Sequence, residues 1–222
     1  MSAAEAISLA VNEGRVSALW LEPAAAQVCF VFAHRAGAGM THAFMAAFAD
    51  GLAQRRIATL RYQFPYMEKH SGRPDPPALC HATVRAAAHA AVQRAPKLKL
   101  IAGGKSFGGR MTSQAQASEP LRGVCGLAFL GFPLHTAGKP TASRAAHLAQ
   151  VDIPMLFLQG EKDKLAEAAL LSPIIAELGG RASLVWAPGA DHSFHVLKRS
   201  GRSDEEILAL LLDAFAGWAA AL

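Results

Sequence analysis

The sequence predicts a three-layer α/β fold: a mostly parallel sheet, opened by an N-terminal hairpin, between two layers of helices, with no large cap domain. Three observations carry that expectation. Short apolar runs rich in β-branched and aromatic residues, such as QVCFVFAH at residues 27–34, have the character of strands buried on both faces of a parallel sheet. These runs alternate with segments of helical period along nearly the whole chain, with no internal repeat or low-complexity linker between them. The length, 222 residues of which 52% are hydrophobic, suffices for one well-buried core, so residues 1–222 are expected to form a single domain.

The elements follow in order. Residues 6–11 and 16–21 are strand-like and flank Asn12-Glu13-Gly14, a turn-forming triplet, which predicts a hairpin. After the strand at 27–34 comes the loop Arg35-Ala36-Gly37-Ala38-Gly39. Thr41 is placed to cap a helix reaching about Arg55, with Phe44, Ala47, Phe48 and Leu52 on one face. Residues 57–64 predict the next strand, ending in the loop 63–67. The proline-rich stretch 71–77 is a surface loop, residues 78–94 an alanine-rich helix, and Pro96 prevents its continuation. A strand at 98–102 and a helix at 107–117 follow, then a buried strand at 124–132. Residues 133–152 form the longest irregular connection, with one short helical piece. The chain closes with a strand at 155–159, a helix at 164–178, a strand at 182–186 and a helix at 204–221.

Composition narrows the partners. Lys and Arg total 22 against 17 Asp and Glu, a formal charge of +5, but the basic residues are scattered. The densest clusters, Arg55-Arg56 and Lys198-Arg199 with Arg202, are short, so no nucleic-acid partner is expected and the field only mildly favours anionic ligands. Three cysteines provide no disulfide framework and no CxxC metal site, and Cys29 and Cys125 lie in apolar runs where a thiol acts as a small hydrophobe. No metal or organic cofactor is expected. Residues 1–12 carry Glu5 in place of a basic leader and lack a sustained apolar core, which predicts a cytoplasmic protein. The apolar run 207–222 is interrupted by Asp213 and is short for a membrane span; a packed helix is expected, with no membrane partner.

The chemistry centres on LKLIAGGKSFGGR at residues 98–110. Gly104 and Gly108 bracket Ser106 in a G-x-S-x-G pattern between a strand and a helix, the turn that lifts a serine hydroxyl into a cleft. A phosphate loop also claims Gly104-Lys105-Ser106, but it needs glycine five residues earlier and finds Lys99. A serine hydroxyl is a poor nucleophile without an imidazole to take its proton and an acid to orient that imidazole. In a parallel sheet both must come from loops at the strands' carboxyl ends. The loop after 155–159 carries Asp163, and the loop after 182–186 carries His192, so the chain order is Ser106, Asp163, His192. Glu161 and Asp191 compete for the acid, His195 competes for the base, and Asp163 could instead cap the helix at 164–178. His42, His70, His81, His89 and His147 fall on helices or a variable loop, whereas His135 follows a strand and is a candidate pocket residue.

Six motifs in order, HRAGAGM at 34–40, FPYM at 64–67, GGKSFGGR at 103–110, PLHTAGKP at 133–140, LQGEKD at 158–163 and GADHSF at 189–194, resemble the α/β-hydrolase superfamily over nearly the full length. They look like its small, lidless, dienelactone-hydrolase-like group. More narrowly, the chain is similar to bacterial proteins that share a domain with a subunit of a eukaryotic chromatin-associated complex, the NSL complex. The resemblance implies a nucleophile at Ser106, an acid at Asp163, a base at His192, and an oxyanion hole from the backbone N–H groups of Phe107 and Ala36. It departs at Arg35, since such loops often continue His-Gly. The implied activity is a serine hydrolase cleaving a small ester or related acyl substrate through an acyl-enzyme, in a monomer or homodimer. Arg35, Tyr66, Met67 and His135 are the candidate pocket walls. The alternative, motivated by Arg35 and by the chromatin-subunit likeness, is a binding or scaffold protein that keeps the fold and does little chemistry.

Overall fold

A computed structural model describes residues 3–222. Eight strands form one sheet: β1 (Glu5–Val11), β2 (Gly14–Leu21), β3 (Val28–Ala33), β4 (Ile57–Tyr62), β5 (Lys99–Lys105), β6 (Val124–Leu130), β7 (Met155–Gly160) and β8 (Ala182–Ala187). Their order across the sheet is β1-β2-β4-β3-β5-β6-β7-β8. The hairpin β1–β2 and the β2–β4 pair are antiparallel, and every later pairing is parallel. The helices are α1 (Ala43–Gln54), α2 (Pro65–Glu68), α3 (Pro77–Arg94), α4 (Phe107–Ser118), α5 (Ala168–Leu178) and α6 (Asp204–Ala221). The connection from β6 to β7 holds a 3₁₀ segment, Ser143–Gln150, and no cap.

Two apolar cores lie on the two faces of the sheet. Cys80, Val84 and Ala87 of α3, Met111 and Ala115 of α4, and Leu171 of α5 fill one. Met45, Phe48 and Leu52 of α1 with Ile207, Leu211 and Phe215 of α6 fill the other, where the rings of Phe30 and Phe215 lie 4.8 Å apart. Because successive strand residues face opposite layers, β3, buried at every position, carries apolar side chains on both, while β4 and β7, equally buried, also place Thr59, Arg61 and Gln159 in the interior. Asp213, the break in the apolar C-terminal run, sits on the solvent side of α6 and pairs with Arg55 at 2.6 Å.

Element ends differ from expectation where tertiary partners act. β5 runs on through Gly103, Gly104 and Lys105 because β3 and β6 flank it and continue the ladder. α1 begins one residue late: His42, in place of Thr41, is the N-cap and accepts the Phe44 N–H through Nδ1. The short α2 was not expected; Pro65 opens it, suited by its fixed φ to a first helical position, and Glu68 accepts the Ser17 N–H of the hairpin. α5 starts at Ala168, four residues after the expected start, because residues 164–167 complete a turn anchored on Asp163. α6 opens on a capping box between Ser203 and Glu206.

Candidate active site

The chain passes from β3 to β4 on one side and then crosses to β5 on the other, so the sheet's switch point lies between β3 and β5. A crevice opens there beyond the carboxyl ends of the strands. Ser106 follows β5 directly, with φ +50° and ψ −113°, a strained conformation for a residue with a Cβ. The turn closes tightly against β3. A Cβ on Gly104 would lie 2.4 Å from the Ala33 carbonyl oxygen, and one on Gly108 would lie 2.5 Å from that of His34. Since backbone is what such a Cβ would meet, Gly108→Ala is expected to cost about 3 kcal/mol, measurable as a lower denaturation midpoint.

The structure brings three of the proposed residues into one line. His192 Nε2 is 2.8 Å from Ser106 Oγ, and His192 Nδ1 is 2.7 Å from Asp163 Oδ2. Asp163 is 2% exposed. Its Oδ2 also accepts from Gln159 Nε2 at 2.6 Å, and its Oδ1 accepts the Leu165 N–H at 2.8 Å. Capping the turn and facing the imidazole are thus done by one carboxylate. The competing groups take other places: Glu161 accepts the Gly189 N–H, Asp191 accepts the N–H groups of Ser193 and His195, and His195 pairs with Asp204 at the surface.

Ala36 and Phe107 both border the cavity at Ser106, whose volume is about 390 Å³. Phe107 is the first residue of α4, so its N–H has no intrahelical acceptor, and the Ala36 N–H has no backbone acceptor among the described residues. The remaining walls are mainly Met111, Pro133 and Leu165, with Arg110, Arg144 and Asp75 adding charge. None of the four expected pocket residues lines this cavity. Arg35 is exposed and borders a separate cavity with His42 and His192. Tyr66 is buried beneath the loop and stacks edge-on against Phe107, because an aromatic ring on α2 points inward to the core. Met67 packs on the same core, and His135 is buried, bonded to the Thr136 carbonyl and to Glu167. Among the described residues no three His, Cys, Asp or Glu side chains gather to hold a metal ion, and no helix is long and apolar enough to cross a membrane.

Residues 26–220 match the family described as an alpha/beta hydrolase domain. The chain belongs to that family. This hydrolase domain shares its fold with a dienelactone hydrolase from Anabaena variabilis, at 20% identity and a TM-score of 0.77 over 97% of this chain and 95% of the other. It is equally similar to an alpha-beta serine hydrolase homologue from Coxiella burnetii, at 20% identity and 0.78 over 96% and 98%. A lidless serine hydrolase from Xanthomonas campestris aligns at 21% identity and 0.76 over 98% and 96%. No curated protein matches the sequence. None of these likenesses extends to a chromatin-complex subunit.

Two residues of the hydrolase domain that hold the site, Gln159 and His34, lie in the motifs at 158–163 and 34–40 but have no role that the sequence assigns them. Gln159 bridges the Phe132 N–H and Asp163, joining the ends of β6 and β7. His34, fully buried, accepts the Phe64 N–H at Nε2 and donates from Nδ1 to the Arg35 carbonyl, so it shapes the loop that carries Ala36. Burial pushes its imidazole from the usual 6.5 down to about 4. A proton on Nε2 would break the bond from Phe64. The folded value lies below the unfolded one, so this stability is complete above about pH 6.5 and is lost as pH falls toward 4, by about 3 kcal/mol. Urea unfolding at pH 7 and at pH 4.5 measures it.

Proposed function

We propose that this chain is a carboxylesterase-like serine hydrolase that cleaves a small ester or related acyl compound through an acyl-enzyme. The observation that carries the reading is the continuous hydrogen-bonded line from Ser106 Oγ through His192 to the buried Asp163. In it, His192 Nε2 takes the Ser106 proton as Oγ attacks the substrate carbonyl. Asp163 holds the imidazole with Nδ1–H toward it and stabilises the imidazolium that forms. The N–H groups of Phe107 and Ala36 face the oxygen on which negative charge develops. His192 then protonates the leaving group, and the same imidazole deprotonates the water that releases the acyl group.

The cavity beside Ser106 narrows the substrate. Arg110 stands one helical turn after Ser106, its Nε is buried without a hydrogen-bond acceptor, and Arg144 lines the same cavity. Burial and the charge of Arg144 both push the Arg110 guanidinium down. Two cations that repel one another beside the nucleophile are relieved by an anionic substrate group. A carboxylate-bearing aryl ester is therefore expected to bind better than its neutral isostere. Arg110→Met is expected to raise KM for the charged ester about 10-fold or more and to leave the neutral one little changed, since a charge-assisted hydrogen bond is worth roughly 1.5–3 kcal/mol.

Fluorophosphonate labelling of wild type and Ser106→Ala, followed by a panel of aryl esters, tests the assignment. Labelling confined to the wild type supports it. Undiminished labelling of the mutant removes Ser106 as nucleophile, and an unlabelled wild type leaves a binding role on the same fold.

A further inference from the structure

Lys105, the neighbour of Ser106, is the one charged side chain of the elbow turned away from the crevice. It ends β5, is 3% exposed, and points into the layer of α1 and α6. Its ammonium donates to the backbone carbonyl of His192 and lies 4.5 Å from the ring centre of Phe194 and 5.9 Å from that of Phe44. Space for the head group is provided by Gly131, where a Cβ would come within 2.8 Å of Nζ. Beside it is a cavity of about 230 Å³, bordered also by Arg35, His42 and His192.

Packing alone does not account for this residue. Burying an ammonium against two rings and a carbonyl costs several kcal/mol, whereas a methionine of similar shape would fill the site without that cost. What lysine adds is a donor that reaches from the nucleophile's own turn to the backbone of the base. Asp163 restrains the His192 ring at Nδ1, and the loop after β8 that carries the ring is tied on either side of it, by Glu161 and the Lys162 N–H at Gly189 and Ala190 and by Asp204 at His195 and Val196, whereas at His192 itself Lys105 is the side chain that holds the backbone. We propose that Lys105 is a positioning residue that holds the His192 carbonyl and thereby sets the reach of the imidazole to Ser106 Oγ; this rests on the triad reading above.

The charged groups around Nζ are Asp163 and Asp191, which favour the ammonium, and Arg35, which opposes it, with His42 and His192 on the cavity wall. Burial outweighs the carboxylates and pushes the amine down to about 7. Both the ammonium and the neutral amine carry an N–H for the carbonyl, so the contact survives titration.

The test compares wild type, Lys105→Met, Lys105→Arg and Ser106→Ala with p-nitrophenyl acetate as substrate, together with thermal unfolding and the downfield proton resonance of His192 Nδ1–H. In Lys105→Met the unfolding midpoint is expected to stay or rise, kcat to fall about 10-fold or more, KM to stay within about twofold, and the downfield resonance to broaden or shift, because small misplacements of a reacting group are costly. Lys105→Arg, whose longer head has the adjoining cavity to enter and still donates, is expected to recover a substantial part of kcat. Wild-type kcat and an unchanged resonance in Lys105→Met overturn the proposal, as does a loss in which Met and Arg fall equally with a lowered midpoint. Turnover retained in Ser106→Ala overturns the triad reading and this proposal with it, whereas Ser106→Ala inactive and Lys105→Met fully active overturns this proposal alone.

Discussion

Ser106→Ala is expected to lower kcat on short-chain aryl esters by about a million-fold, leaving only what oriented binding and the oxyanion donors contribute. The substitution isolates the hydroxyl. Ser106 is the N-cap of α4, yet its side chain makes no capping hydrogen bond, so α4 loses nothing when Oγ is removed. The strained backbone at φ +50° is the same for alanine, which carries the same Cβ. The thermal midpoint should therefore move by no more than a few degrees, and the lost rate can be assigned to the nucleophile. Steady-state turnover with a fluorophosphonate titration of active sites measures both quantities. Residual turnover within about 10-fold of wild type would sink the assignment of Ser106.

Asp163→Asn is the second large effect, with an expected fall in kcat of about 10⁴-fold. Asp163 Oδ2 receives two donors, His192 Nδ1 and Gln159 Nε2, and Oδ1 receives the Leu165 N–H. An amide offers one oxygen and one NH₂. Whichever way it turns, an amide hydrogen faces either the Leu165 N–H or the pair of donors at Oδ2. The arrangement with the amide nitrogen toward His192 favours the tautomer with hydrogen on Nε2, which cannot accept the Ser106 proton. Asp191→Asn and Glu161→Gln provide the comparison. Their carboxylates serve backbone N–H groups of the His192 loop, so each should change kcat by less than about 10-fold. A larger loss in either than in Asp163→Asn would move the acid away from Asp163.

Much of the sheet was legible because its information is local. A run such as VCFVFA at β3 is apolar at every position only when both faces are covered, and Pro96 ends α3 wherever the rest of the chain goes. The elements that differed are those whose ends are set by distant partners. β5 outlasts its apolar residues because ladders on both sides hold Gly103 and Gly104 extended. α5 begins late because Asp163 takes the Leu165 N–H and bends the chain first. The pocket was the least legible part. Tyr66 and His135 stand near strand ends in sequence, but the Tyr66 ring is buried against Phe107 and the buried His135 imidazole is held by the Thr136 carbonyl and Glu167, while the cavity is walled in part by Met111, Arg110 and Arg144.

The sequence by itself determined the order of the eight strands and of the five longer helices, the tight glycine-flanked turn that carries Ser106, and the strand-end loops from which an acid and an imidazole could come. Those are matters of period, turn chemistry and loop position, which a few neighbouring residues decide. Only the tertiary structure decided that Asp163 and His192, in place of Glu161, Asp191 or His195, meet one another and Ser106. It alone decided that Arg35 stays outside the cavity at Ser106 while Lys105 reaches the His192 carbonyl. The physical reason is that spacing along the chain sets which strand end a residue leaves from, whereas the direction of its side chain is set by the donors, acceptors and packing that other strands bring to it.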